Sequence, residues 1–411
     1  MCDTFAVTTP TGTLFAKNSD RPVAEPQLIN YEGPRPASNR LATQYLKLGE
    51  DPGSVGTLMT QPDWLWGAET ALSTQRVAIG NEKVWTTDDP AAVAPGLIGM
   101  DLVRLAAERA TDAAHAVLLI GRYLHRYGQG GGGERGDDPS TGTEPYWSSF
   151  LIGDPSTVWQ METSGAAWVA RELPLGGAIS NRLTDDVAWD RSGGGADPEV
   201  WGTRRHPDVP TELADHRLAC TSAFVANRHD SPSVADAVAV LRSHGTAPWG
   251  DPVARAHNEG RIVPPPEDVR DDFSGVSVCM HVRGYQRTTA SLATWMPVDR
   301  EERPLTVAAL GSPCCSIFVP CGTGWVPDVL GDSTAWAMVA AIADAVEAEP
   351  AALAEVRAAL DPTEDHIWDQ AAERPGRPPL DGGDAWSSEV RAAFEAAATA
   401  LGVGGTSCPA D

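Results

Sequence analysis

"MCDTFAVTTPTGTLFAKNSDRP" (1–22) places two short apolar runs, 4–9 and 12–17, on either side of "TPTG". Pro10 and Gly12 mark a turn, and the flanking Thr, Val and Phe favour extended chain, so an N-terminal β-hairpin is predicted. Such a hairpin returns the residues near 20 to the side of residue 2. Residue 2 is a cysteine. If Met1 is removed, Cys2 carries a thiol and a free α-amine on the same residue, a nucleophile with its own base. The α-amine titrates at about 7.7–8.0, which suits a general base near neutrality. An N-terminal nucleophile also needs a group that holds the amine, and donors for an oxyanion, each typically worth ~3 kcal/mol.

The rest of the composition bounds the function. The chain has 411 residues, 42% hydrophobic and 21% charged, with a formal net charge of −25. That is a globular composition, and one acidic enough to repel nucleic-acid phosphates and anionic lipid, so neither partner is expected. No basic and apolar leader is visible at the N-terminus, and runs such as "AVLLIG" (116–121) are too short to span a bilayer. A cytoplasmic protein is expected, with its seven cysteines (2, 220, 279, 314, 315, 321, 408) reduced. No H-E-x-x-H, C-x-x-C or G-x-S-x-G occurs, and the Gly-rich stretch 128–134 lacks the G-K-[ST] of a phosphate loop. Of Cys314, Cys315 and Cys321, two are adjacent and no histidine is near in sequence, so no metal and no cofactor are expected.

Along the chain, strand-like runs follow at 41–48, 56–60, 67–73 and 76–81. Helical spacing covers 99–128 in two segments, a loop spans 128–145, and four strands are predicted at 147–154, 157–163, 166–174 and 177–183. The stretch 184–216 is rich in Gly, Pro, Asp and Trp and reads as an insertion or long loop. A Ser-capped helix is predicted at 233–244, then strands at 276–282, 288–298, 305–311 and 315–321. A helix pair broken at Pro350 covers 335–360, a polar stretch 362–384, and a last helix 387–402. The expectation is a single domain over 1–411, with the loop-rich insertion near 184–216 and a helical C-terminal part near 335–411. Two groups of strands with helices between and after them suggest packed sheets covered by helices.

The stretches "MCDTF", "FAKNSDRP", "WLWGAE" (64–69), "VAIGNEKVW" (77–85), "GMDLVRLAAERA" (99–110), "YGQGGG" (127–132), "SSFLIGDPSTVWQMET", "AISNRL" (178–183), "CMH" (279–281) and "CCSIFVP" occur in an order that resembles the secernin and dipeptidase family of cysteine peptidases. That family lies within the N-terminal-nucleophile hydrolase superfamily, and the resemblance reaches from residue 2 to about 320. It implies a four-layer αββα sandwich with Cys2 opening the first strand. It also implies Cys2 as nucleophile, Asp20 as the carboxylate that orients the amine, Asn81 as an oxyanion amide and Asn181 as a second amide. Where Lys17 stands, cholylglycine-hydrolase-type relatives have arginine. Lysine offers a point charge in place of a planar fork, yet it can favour a thiolate. Arg21 is a candidate for part of that arginine's role. A second, late arginine of those relatives finds no counterpart in the sequence pattern.

Each residue also has a plain structural reading. Asp20 and Arg21 before Pro22 suit a turn, Asn81 behind Gly80 suits a strand end, and Trp64, Trp66 and Trp85 suit a core. For substrate, Glu69 and Glu82 are the acids nearest the site in sequence and candidates to hold a substrate ammonium, with Trp66 enclosing a side chain. The function expected is a cysteine-dependent dipeptidase acting through a thioester. The alternatives are an amidase or acylase on N-acyl amino acids, or a non-enzymatic secernin-like binding module. The partner is then a small peptide or acyl-amino acid, and a homo-oligomer is left open.

Overall fold

The computed structural model describes residues 1–89, 94–137, 145–184, 188–227, 230, 232–245, 275–282 and 284–403. The predicted hairpin is present. β1 (Cys2–Thr9) pairs antiparallel with β2 (Gly12–Pro22), in a register that sets Cys2 opposite Ser19 and Thr4 opposite Lys17. β3 (Gln27–Glu32) follows, a strand the sequence reading does not contain. The run 41–48 resolves into two short pieces, β4 (Leu41–Ala42) and β5 (Lys47–Leu48), paired with each other. Next come β6 (Thr57–Pro62), β7 (Thr70–Ser73), β8 (Ala78–Val84), α1 (Gly99–Ala107) and α2 (Ala113–Tyr127). The four strands predicted after the glycine-rich stretch are β9 (Trp147–Gly153), β10 (Val158–Ser164), β11 (Ala167–Glu172) and β12 (Gly176–Ile179). Residues 138–144 of the predicted loop lie outside the described residues.

The stretch read as an insertion supplies an edge strand, β13 (Arg191–Gly193), and a 3₁₀ turn (Trp201–Arg204). It leads into α3 (Glu212–Asn227), a helix not anticipated. α4 (Val234–Leu241) opens as predicted on Ser233, whose hydroxyl accepts from the Asp236 N–H. Of 276–282 only β14 (His281–Val282) is strand. β15 (Gln286–Pro297) and β16 (Leu305–Leu310) match their predictions, and 315–321 narrows to β17 (Val319–Cys321). The helix pair is α5 (Ser333–Ala348) and α6 (Leu353–Ala372), separated at Pro350. However, α6 runs on through Pro362 into the polar stretch 362–384, and α7 (Asp384–Ala400) closes the described chain. Among the described residues no helix is long and apolar enough to cross a membrane.

One sheet runs β12-β1-β2-β15-β16-β17, with β14 paired to β15. The other runs β13-β11-β10-β9-β8-β7-β6-β3. Alternation along the strands explains how they stack. In β1 and β2, Ala6 and Phe15 join Leu58, Leu72, Ala78, Leu151 and Val158 of the second sheet between the layers. Phe5, Val7, Leu14 and Ala16 face the other way, onto Phe224 and Val225 of α3 and Ala237, Val238 and Leu241 of α4. The outer face of the second sheet (Ile79, Phe150, Ile152, Met161) is covered by Leu102, Val103 and Ala106 of α1 and Val117, Ile120 and Leu124 of α2. The order of layers is therefore helices, sheet, sheet, helices: the αββα sandwich. α5, α6 and α7 pack beside it, with Trp336, Val339, Leu360, Trp386 and Phe394 joining the core at its β16 and β17 side.

The two sheets approach closely at Gly80. A Cβ there would come 2.7 Å from Lys17 Cδ and 2.8 Å from Thr4 Oγ1. Gly80→Val is expected to force these apart and cost about 1–3 kcal/mol. Urea unfolding measures it, and wild-type stability in that variant would contradict so tight an approach.

Candidate active site

Cys2 begins the first strand with its side chain turned between the sheets, fully buried. Its sulfur and its nitrogen have separate surroundings. On the sulfur side, the Glu69 carboxylate lies 3.9 Å from Sγ, and the Lys17 ammonium stands against the thiol. Lys17 shares the inward face of β2 and donates to the Asn81 carbonyl (2.8 Å), with Glu82 Oε1 at 3.4 Å. Glu82 also accepts from the Thr4 hydroxyl. Arg21, two turns of the pleat further on, donates to Glu25 (2.6 Å), Glu69 (3.1 Å) and the Gly133 carbonyl.

On the nitrogen side, the Cys2 N–H donates to Asn181 Oδ1 (2.8 Å). The same oxygen accepts from Arg217 Nη2 (2.7 Å), while Asn181 Nδ2 donates to the Lys83 carbonyl (2.8 Å). Arg217, on the buried face of α3, also donates to the Cys2 carbonyl (3.0 Å), Asp3 (2.8 Å) and the Leu213 carbonyl (2.8 Å). Its guanidinium lies 3.5 Å from Asp20 Oδ2, which accepts no hydrogen bond among the described residues. Asp20 Oδ1 accepts from Thr288 (2.7 Å). A register shift between Thr288 and Ala290 in β15 falls directly beside Asp20, a bulge of the kind that re-aims side chains at strand ends.

Met1 precedes this arrangement and is itself buried. Its ammonium donates to the Asp20 carbonyl (2.8 Å) and Gln286 Oε1 (2.9 Å). Its side chain packs among Trp85, Leu213, Val276, Met280, Val282 and Tyr285.

Burial governs the protonation states. It pushes the Cys2 thiol up to about 11 despite the opposing charge of Lys17, so the thiol is neutral at pH 7 while Met1 is in place. Burial lowers the Met1 amine, raises Asp20, and raises Asp3 to about 6 against the pull of Arg217. It raises Glu82 to about 7, against Lys17 and Thr4. Lys17 moves up, because Cys2, Glu82 and Glu69 together outweigh its own desolvation.

The sequence-derived candidates are thus sorted. Cys2, Lys17, Asp20, Arg21, Glu69, Glu82 and Asn181 converge. Asn81 joins them through Glu69. Gly80 and Glu82 face β1 and β2, so Asn81 faces α1, where its side chain lies between Ser148 and Glu69. With its amide nitrogen turned to Glu69, it donates to that residue's carbonyl (3.1 Å) and carboxylate (3.2 Å). It is thereby joined to the same Glu69 oxygen that lies 3.9 Å from the Cys2 sulfur. Trp66 is not in the site; it stacks on Arg104 of α1 (4.5 Å) and packs with the outer helices. Trp85 packs against Met1 beside the site. Glu69 and Glu82, candidates to hold a substrate ammonium, are already paired with Arg21 and Lys17. Arg217 carries no motif that singles it out in the sequence. The available signal was its place on the stripe Leu213, Arg217, Thr221, where helical spacing buries it.

No family model matches the chain. Its structure is similar to that of a variant of conjugated bile acid hydrolase from Clostridium perfringens (11% identity, 75% of this chain and 89% of that one, TM-score 0.42). It is also similar to penicillin V acylase from Agrobacterium tumefaciens (12% identity, 78% of this chain and 86% of that one, TM-score 0.41).

Glu82 gives the site a pH signature. A carboxyl raised by folding holds its proton in the native chain where the unfolded chain has lost it, so stability falls as pH rises from about 4.5 to about 7 and is level above. The full span is on the order of 3 kcal/mol. Glu82→Gln, which mimics the protonated form, is expected to flatten that part of the curve. Melting temperatures between pH 4.5 and 8 for both proteins test this, and parallel curves would remove Glu82 as the cause.

Proposed function

We propose that the chain is a cysteine-dependent hydrolase of small C–N bonds, acting as a dipeptidase once Met1 has been removed. The observation that carries the reading is the division of Cys2: sulfur against Lys17 and Glu69, nitrogen against Asn181, Arg217 and Asp20. Without Met1 the nitrogen becomes an amine in the same place. Asn181 Oδ1 orients it, and the open Oδ2 of Asp20 supplies a second acceptor. The nearby Arg217 charge disfavours the ammonium, keeping a lone pair available. The amine takes the thiol proton as Sγ bonds to the substrate carbonyl carbon. Lys17 offsets the charge on the carbonyl oxygen. The C–N bond breaks as the leaving amine receives that proton, and water, deprotonated by the same amine, then cleaves the thioester.

The pocket vacated by Met1 is lined by Trp85, Leu213, Val276, Met280, Val282 and Tyr285 and suits an apolar side chain. One observation favours the acylase alternative: both acids considered for a substrate ammonium are engaged by buried cations. A panel of dipeptides, N-acetylated dipeptides and N-acyl amino acids separates the two. Faster turnover of the N-acylated compounds would replace the dipeptidase reading with the acylase one. Reaction with none of them, combined with an unreactive Cys2, would favour a binding role.

Two outcomes are expected of the chemistry itself. Intact mass of the active protein lacks Met1, and Cys2→Ala abolishes hydrolysis with little change in melting temperature, since so small a truncation leaves only a slight cavity. A dominant, active species retaining Met1 would exclude the amine as base. Asp20→Asn is expected to lower kcat far more than it raises KM, because its charge acts on the amine as it gains a proton. A change confined to KM would make Asp20 a binding residue.

A further inference from the structure

Away from Cys2, the fold assembles four side chains that sequence spacing keeps apart. Cys279 and His281, in the "CMH" that leads into β15, stand on the chain just before and at the start of β14. Cys314 lies in the 3₁₀ turn Pro313–Cys315 after β16, and His244 follows α4. His281 Nε2 lies 3.3 Å from Cys279 Sγ and 3.3 Å from Cys314 Sγ. The rings of His244 and His281 are 5.2 Å apart. One ligand atom from each of the four falls within 4.8 Å of every other. We propose that Cys279, His281, Cys314 and His244 form a structural zinc site.

Geometry and chemistry agree on the ion. A tetrahedral zinc with bonds of about 2.0 Å to nitrogen and 2.3 Å to sulfur separates an N and an S ligand by roughly 3.5 Å. The two N···S distances are already close to that edge. Two thiolates and two imidazoles select zinc over calcium or magnesium, which take oxygen donors. Cys279, His281 and Cys314 are buried and His244 is partly so, leaving no protein ligand position open to a substrate; the site is of the closed, structural kind. His281 has the outer partner such a ligand needs. Its Nδ1 lies 3.0 Å from Glu347 Oε1 on α5, and Arg287 is 3.9 Å from that same oxygen. A carboxylate on Nδ1 fixes the tautomer that turns the Nε2 lone pair toward the thiols. Binding releases the two thiol protons to solvent as the Zn–S bonds form, with no change of oxidation state.

The site would join three parts of the molecule: the end of α4, the turn after β16, and the segment entering β15. That segment reaches the catalytic residues. The N–H of Met280, between two of the ligands, donates to Thr288 Oγ1 (3.0 Å), and Thr288 donates to Asp20 (2.7 Å). Met280 also lines the Met1 pocket. Zinc would therefore hold the wall of that pocket, while the proposed hydrolysis passes through Cys2 alone.

The full-length protein, purified without chelator or affinity metal, is assayed for zinc and for Co(II) uptake after zinc removal. About one equivalent of zinc is expected. Co(II) should give tetrahedral ligand-field bands with a thiolate charge-transfer band, and stripping should lower the melting temperature. Cys314→Ala and His281→Ala should lose the thiolate band or the metal. Glu347→Gln should weaken metal affinity about 10- to 100-fold. Cys315→Ala, whose sulfur lies 3.5 Å from Cys314 Sγ but outside the set, should keep both metal and spectrum. Wild-type protein with neither zinc nor a Co(II) thiolate band after metal loading overturns the proposal, whatever the variants do. So does oxidation of Cys279 and Cys314 to a disulfide in the native protein.

Discussion

A single buried guanidinium fixes the geometry on which the site depends. Arg217 is fully buried, and its donors end on the Cys2 carbonyl, Asp3, Asn181 and its own helix, with Asp20 alongside. A buried ion pair is poor evidence for stability, because desolvation consumes most of the Coulomb gain. Its value here is positional. Arg217 binds the carbonyl of residue 2 and the amide that receives the nitrogen of residue 2, so it sets where that nitrogen can be. Its removal would leave two carboxylates, Asp3 and Asp20, buried without their cation, the condition under which such deletions cost 3–5 kcal/mol.

The opposite side of Cys2 follows a different rule. Lys17 projects between the sheets, where only the missing side chain of Gly80 leaves it room. It is met there by Glu82 and by the Asn81 carbonyl. Arg21 and Asn81 in turn hold Glu69 beside the sulfur. One strand, β2, delivers Lys17 and Arg21 to the inward face and Asp20 to the outward one, a direct consequence of the two-residue period.

That period explains what could be read from the sequence. The hairpin, the strands at 147–183 and the site membership of Cys2, Asp20 and Asn181 follow from turn residues, apolar alternation and a resemblance carried by short motifs. Two of the features that stay hidden share one cause: a charged side chain standing at a buried position, satisfied by a partner distant in sequence. Arg217 interrupts the apolar stripe of α3. Glu364, held by Arg242 and the Phe318 N–H, does the same between Leu360 and Ile367 of α6 and makes a helix look like a polar stretch. The aim of Asn81 was hidden for another reason. Its neighbour Gly80 marks a close approach, but only the packing tells which face of β8 looks at the thiol. His281 and His244 likewise meet Cys314 only through tertiary structure.

Met1 is only 4% exposed, with its ammonium tied down and its side chain in the core. An aminopeptidase has no purchase on such a terminus. β2 is completed on its far side by β15, whose residues 286–297 leave the ribosome long after residues 1–22. The wall around Met1 includes Val276, Met280, Val282 and Tyr285, equally late. The N-terminus therefore stays accessible throughout most of synthesis and is enclosed only near its end. On the proposed function, which requires loss of Met1, trimming of the nascent chain would compete with closure of the sheet, and the fraction of competent molecules would be set kinetically, by which event comes first.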